Sequence, residues 1–224
     1  YSVSVYVYRN SSIIIPGIRV SAWKSLYDSI VASVSRKYEI IFIGPYGLAE
    51  ELKGINNIRY VKDMGHPNRC QQIGLIMAQG EHILWGTSDD CLYYPSAIDR
   101  TFDLYSSLGN FHKKAVCTRY LEGDNPRDHE IHMSSDMYTI SNNSTVSSPY
   151  IPDSYISSGP SIISRDYLTE LGGWDCEFEG SAMSALDLNI RAQRDGAKFV
   201  LTDFLVAHCS WCPGHTGDHG PIHD

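Results

Sequence analysis

Apolar positions along the chain follow two rhythms. Short unbroken runs occur at Ser12-Ile-Ile-Ile-Pro16, Glu39-Ile-Ile-Phe-Ile-Gly44, Ile58–Val61 and His82-Ile-Leu-Trp-Gly86. They have the length and β-branched content of strands buried on both faces. Between the first two, Trp23, Leu26, Tyr27, Ile30, Val31 and Val34 recur at spacings of 3, 1, 3, 1 and 3. That is one helical face, and it predicts a helix from a Ser21 cap through Arg36. A second helix is predicted from Asn68 to about Gln79 with Gly80 placed to stop it, and a third from Pro95-Ser96 to about Leu108. Ala115–Tyr120 reads as a strand.

Residues 121–158 are rich in Ser, Asn, Asp, Pro and His and have little periodicity, so they read as a long excursion of the functional kind. Order returns with a strand at Ser161–Ser164 and a short helix ending at Leu171-Gly-Gly-Trp174. A helix from about Ala182 to Asp195 follows, then strands at Phe199–Leu201 and Phe204–Ala207. The opening Tyr1–Tyr8 alternates at period two and reads as a strand rather than a signal peptide. Strands alternating with helices predict an α/β fold, its sheet mostly parallel and covered on both faces. Ligands of such sheets bind beyond the carboxyl ends of the strands.

The 224 residues suit one domain, 1–224, with no internal repeat. Eighteen Lys and Arg against 26 Asp and Glu give a net charge of −8, which argues against broad nucleic-acid binding and still permits a pocket for one nucleotide. No apolar run reaches membrane-spanning length. Cys70, Cys91, Cys117 and Cys176 stand singly among apolar neighbours and read as reduced thiols of a cytoplasmic protein. Cys209-x2-Cys212-x2-His215-x3-His219 carries zinc-ligand residue types and forms a competing metal reading. Gly217-Asp-His-Gly-Pro221 reads as either a substrate-facing loop or an ordinary polar tail.

Asp89-Asp90 follows a buried strand directly. Two adjacent carboxylates repel, and a hard divalent cation shared with substrate phosphates would compensate them; a solvated turn is the plainer alternative. Arg69, at a helix start, is the best phosphate-facing cation, ahead of Arg19 and His66. Asp187 and Arg191 stand four apart on a helix, the spacing of a surface ion pair.

The order of these elements resembles the inverting family 2 glycosyltransferases, over roughly residues 12–210. Ile13-Ile-Ile-Pro-Gly17 is similar to that family's first strand, which meets the nucleotide base; Gly44-Pro45 stands where an acid usually touches the nucleoside. Asn68-Arg69, Gly74 and Ala78-Gln-Gly-Glu81 resemble the stretch before the metal motif, and Trp85-Gly-Thr-Ser-Asp-Asp90 takes the motif's place. The resemblance implies a GT-A (Rossmann-like) three-layer sandwich, with a nucleotide-binding half at about 1–92 and an acceptor half at about 93–224. It implies Asp90 and His208 as metal ligands for Mn²⁺ or Mg²⁺, and Pro16, Gly17, Arg19, Gly44, Arg69, Ser88 and Asp89 around a nucleoside-diphosphate sugar, UDP-sugar first.

In Leu171-Gly-Gly-Trp-Asp175 through Arg191, Ser184 and Ala185 occupy the places of the family's Glu-Asp pair. Asp187 is then the implied base, with Glu179 second. The expected activity is sugar transfer to a hydroxyl acceptor with inversion. The rivals are a nucleotidyltransferase on a similar sheet and a catalytically inert nucleotide-sugar binder.

Overall fold

The computed structural model describes residues 11–122, 137–141, 154–158, 160–178 and 180–209. The expected strand at Tyr1–Tyr8, Glu179, and Cys212, His215, His219 and the Gly217–Pro221 loop lie outside the described residues.

The strands are β1 (Ser11–Pro16), β2 (Tyr38–Gly44), β3 (Ile58–Lys62), β4 (His82–Trp85), β5 (Cys91–Tyr93), β6 (Lys114–Glu122), β7 (Met137–Ser141), β8 (Ser154–Ser158), β9 (Ser161–Ser164) and β10 (Lys198–Cys209). Eight form one sheet in the order β3-β2-β1-β4-β9-β6-β10-β5. Six of these run the same way; β9 is antiparallel to β4 and β6, and β5 is antiparallel to β10.

Alternation along the central strands sends side chains to two cores. Ile13, Ile15, Ile40 and Phe42 meet α1 (Trp23–Ser33) and α3 (Ala97–Ser107) on one face. Ile14, Ile41 and Ile43 meet α2 (Pro67–Met77), α4 (Arg165–Glu170) and α5 (Ser181–Arg194) on the other. This is the expected three-layer GT-A-like sandwich, and burial on both faces explains why the strands read as unbroken apolar runs. Among the described residues no helix is long and apolar enough to cross a membrane.

Several local expectations are corrected. Ser21 caps nothing: it lies in a 3₁₀ turn at Val20–Ala22, and α1 begins at Trp23 and stops where Val34 turns extended. Helix α2 ends at Met77, and Gly80 serves packing instead: a Cβ there would lie 2.4 Å from the Ser11 backbone. The two late strands are one, β10, whose pairing with β6 shifts register between Leu201 and Ala207. Thr202 stitches that irregularity, its Oγ1 donating to the Phe204 carbonyl and accepting from the Arg119 amide. The aperiodic excursion contains an antiparallel pair, β7 with β8. Cys91 is not a reduced thiol: it is bonded to Cys209, 118 residues away. That bond also removes Cys209 from the proposed zinc set, because a disulfide sulfur is no thiolate ligand.

Candidate functional site

At the carboxyl ends of β1 and β2 two glycines bring backbones together. The Gly17 amide donates to the Ile43 carbonyl at 2.8 Å. A Cβ on Gly44 would lie 1.9 Å from the Gly17 oxygen, and one on Gly17 would lie 2.7 Å from the Trp23 ring. Pro16 closes β1 in register with Ile43.

The adjacent carboxylates after β4 divide their tasks. Asp89 is 2% exposed and turns inward. Its Oδ2 accepts from the amides of Ile18 (2.8 Å) and Arg19 (2.5 Å) and from the Trp23 indole (3.1 Å), and its Oδ1 from the Arg19 guanidinium at 2.8 Å. Asp89 thus fastens the loop after β1 to the end of β4 and dissipates its own charge. Asp90 is only half-buried and accepts from the Ser88 hydroxyl. Gly86, at φ 79°, turns the chain out of β4 toward this pair.

Arg69 is 57% exposed and paired with Asp63 at 3.0 Å. Burial raises the Asp63 carboxyl, but hydrogen bonds from Arg69 and the Gly65 amide outweigh it and leave the group below its ordinary value. Arg19 and Arg69 therefore both carry carboxylate partners. His66, directly before α2, has a buried Nδ1 with no hydrogen-bond partner among the described residues.

On the far side of the Asp turn, His208 is half-buried on β10, in register with Leu92 of β5 and Leu121 of β6. Among the described residues no three His, Cys, Asp or Glu side chains form a metal cage. A carboxylate such as Asp90 and an imidazole such as His208 are residue types that could contribute to a divalent-ion site completed by diphosphate oxygens and water.

Helix α5 begins beside the first turn of α2. The Asn68 side-chain amide, 2% exposed, donates to the carbonyls of Phe178 (2.6 Å) and Gly180 (3.2 Å), which flank Glu179 in sequence. Ser184 is fully buried and donates to the Asp175 carbonyl at 3.2 Å. Asp187 lies about 4.5 Å further along the helix axis. Its Oδ2 takes both Arg191 contacts, at 2.9 and 2.7 Å. Arg191 also donates to the carbonyls of Leu171 and Gly173, so this pair secures the Gly-Gly turn. The turn in turn seats Trp174 edge-on against Trp85, with centroids 5.3 Å apart.

Sequence reading did not foresee the parts played by Trp23, Asn68 or the Cys91–Cys209 bond. Trp23 carried the signal of a core position, Asn68 that of a helix start. The cysteines carried none, because their pairing depends on which strand ends meet.

The fold is that of a GT-A-like three-layer sandwich. Among the solved structures it resembles are three of Staphylococcus aureus TarS, a glycosyltransferase. One TarS structure superimposes with a TM-score of 0.65 at 14% identity, covering 95% of this chain and 38% of that one. TarS 1–349 in complex with UDP gives 0.64 at 15% identity, covering 95% and 64%. TarS 1–349 in complex with UDP-GlcNAc gives 0.64 at 16% identity, covering 92% and 59%. The chain thus spans less than two thirds of each of these TarS chains. No protein-family model and no curated protein sequence matches it.

Proposed function

We propose that the chain binds a nucleoside-diphosphate sugar at the rim formed by β1, β2 and β4 and transfers the sugar to a hydroxyl acceptor with inversion. The observation that carries this is the division between Asp89 and Asp90. Asp89 is consumed in shaping the loop after β1, and Asp90 remains beside that loop as an accessible carboxylate. TarS structures of the same fold in complex with UDP and UDP-GlcNAc support UDP-GlcNAc as the first donor to try.

In this reading Pro16, Gly17 and Gly44 bring backbone close to the base and ribose, and Ser88 orients Asp90. Asp90 and His208 would hold Mn²⁺ or Mg²⁺, whose charge lowers the cost of a departing diphosphate. Arg69 can exchange Asp63 for phosphate oxygens, since it is largely exposed.

The acceptor proton goes to a carboxylate of the 178–187 stretch as the acceptor oxygen attacks the anomeric carbon. Asp187 is one candidate, with both Arg191 contacts on a single oxygen. Glu179 is the second, its sequence neighbours Phe178 and Gly180 held by Asn68.

Release of UDP from UDP-GlcNAc with Mn²⁺, compared among the parent chain, Asp90→Ala, Asp187→Asn and Glu179→Gln, tests the assignment. Turnover by the parent that is lost in Asp90→Ala and in one of the other two supports it. Binding without turnover in the parent would favour the inert binder, a reading to which the buried Ser184 and its neighbour Ala185 lend weight. Pyrophosphate release from a nucleoside triphosphate would favour the nucleotidyltransferase.

A further inference from the structure

The Cys91–Cys209 bond joins the two chain segments that carry the proposed cation ligands. Asp90 directly precedes Cys91, and His208 directly precedes Cys209. Of the two strands, β10 is also paired with β6 at Ala207, His208 and Cys209, whereas β5 is weakly defined without the bond. β5 is a three-residue edge strand with three rungs to β10, Ala207 with Tyr93, His208 with Leu92 and Cys209 with Cys91. β10 has just passed through its register shift at Leu205–Ala207. Short, bulged pairings fix register poorly.

The two ends of β5 are held differently. At the Tyr93 end, the Tyr93 amide donates to Ser29 Oγ (3.1 Å), its hydroxyl bonds Thr87 Oγ1 (2.5 Å), and the Tyr94 amide donates to the Val206 carbonyl (3.0 Å). At the Cys91 end, next to Asp90, stand a 3.2 Å bond from the Cys91 amide to the Ser88 carbonyl and the disulfide.

Resting on the donor-site reading above, we propose that Cys91 and Cys209 are positioning residues. Their bond holds the Asp90 turn against the His208 strand and so sets the grip on a divalent cation. The bond makes this grip dependent on thiol chemistry. A dithiol opens it by two exchanges: one thiolate attacks a cysteine sulfur to give a mixed disulfide. The second thiol then closes the reagent's own disulfide, and Cys91 and Cys209 are left as two thiols. Two electrons pass from the dithiol to the protein. The sheet stays anchored at Tyr93, and the Asp90 end is released.

The test begins with peptide mapping of the non-reduced full chain. A Cys91–Cys209 cross-link is expected; a Cys209–Cys212 cross-link or two free thiols overturns the proposal. UDP binding is then measured calorimetrically, with and without Mn²⁺, on oxidised chain, dithiothreitol-reduced chain and the Cys91→Ala/Cys209→Ala double variant. The metal-free UDP affinity is expected to stay constant, and the Mn²⁺ concentration needed for half of the metal effect to rise about tenfold or more in the reduced and double-variant forms.

Equal Mn²⁺ dependence in all three overturns the positioning role. Loss of cooperative urea unfolding in both altered forms also overturns it, because the bond would then serve the whole fold. Oxidised chain that binds no UDP removes the donor-site reading itself, and this inference with it.

Discussion

Four donors converge on the Asp89 carboxylate from residues 66 to 71 positions earlier in the chain. Removing it strands two amides, an indole N–H and a guanidinium in a buried place. Asp89→Ala should therefore cost about 3 kcal/mol in urea unfolding. Asp90→Ala should change stability by no more than about 0.5 kcal/mol, yet lower turnover about 100-fold or more. Equal stability losses would refute the division of roles. The pair itself was legible in the sequence as a charged turn after a strand. Which carboxylate faces inward was not, since the donors come from a distant loop.

A pH effect belongs to the same scale. Asp63 lies below its ordinary value because Arg69 and the Gly65 amide outweigh burial. Its contribution to stability is fully present above the unfolded value, near pH 4, and is lost as pH falls through the lower folded value. The stability gap between the parent chain and Arg69→Ala should thus be present at neutral pH and close in acid. A gap that stays constant to pH 2 would deny the pairing its role.

Elements meet at the rim through glycine contacts and one amide. Gly44→Ala forces a Cβ to 1.9 Å from the Gly17 oxygen, so β1 and β2 must part at their carboxyl ends. A loss of about 1–3 kcal/mol is expected, with UDP affinity falling alongside; a neutral substitution would contradict the close approach. Asn68→Ala releases the Phe178 and Gly180 carbonyls while leaving α2 intact. It should lower turnover more than UDP affinity, as compared by kcat against KM, since the donor rim is untouched; a change in KM alone would place Asn68 in donor binding.

At this scale periodicity carried the sequence reading far. The central strands were visible as apolar runs, β10 in two pieces, and α1 as a 3.6-residue face; the other long helices were placed by their start and stop residues, and the edge strand β5 was not foreseen. Errors fell where tertiary contacts decide. Asp89 draws the chain into a 3₁₀ turn ahead of α1, Gly80 is required by the Ser11–Ser12 backbone, and Thr202 bridges what reads as a gap in β10. Around Asp187 the sequence reading went part of the way. The i,i+4 bond to Arg191 was foreseeable, but not the hold of Arg191 on the Gly-Gly turn.

For the whole molecule, the sheet brings the ends of β1, β2, β4 and β10 to one rim, and the Cys91–Cys209 bond closes its outer edge. Thiol reactivity should map this burial. The Cys70 thiol is pushed up to about 12 by burial, so it stays protonated and unreactive near neutral pH. Among Cys70, Cys117 and Cys176, iodoacetamide should modify Cys176 first, as the exposed thiol; prior labelling of Cys70 or Cys117 would show that the core opens.

The central claim is that this rim receives a nucleoside diphosphate beside Asp90. Its most direct test is a calorimetric titration of UDP into the parent chain and Asp90→Ala, each with and without Mn²⁺. The account predicts that Mn²⁺ tightens UDP binding in the parent and has no such effect in Asp90→Ala. Absence of UDP binding in the parent, or an equal Mn²⁺ effect in both chains, would contradict it.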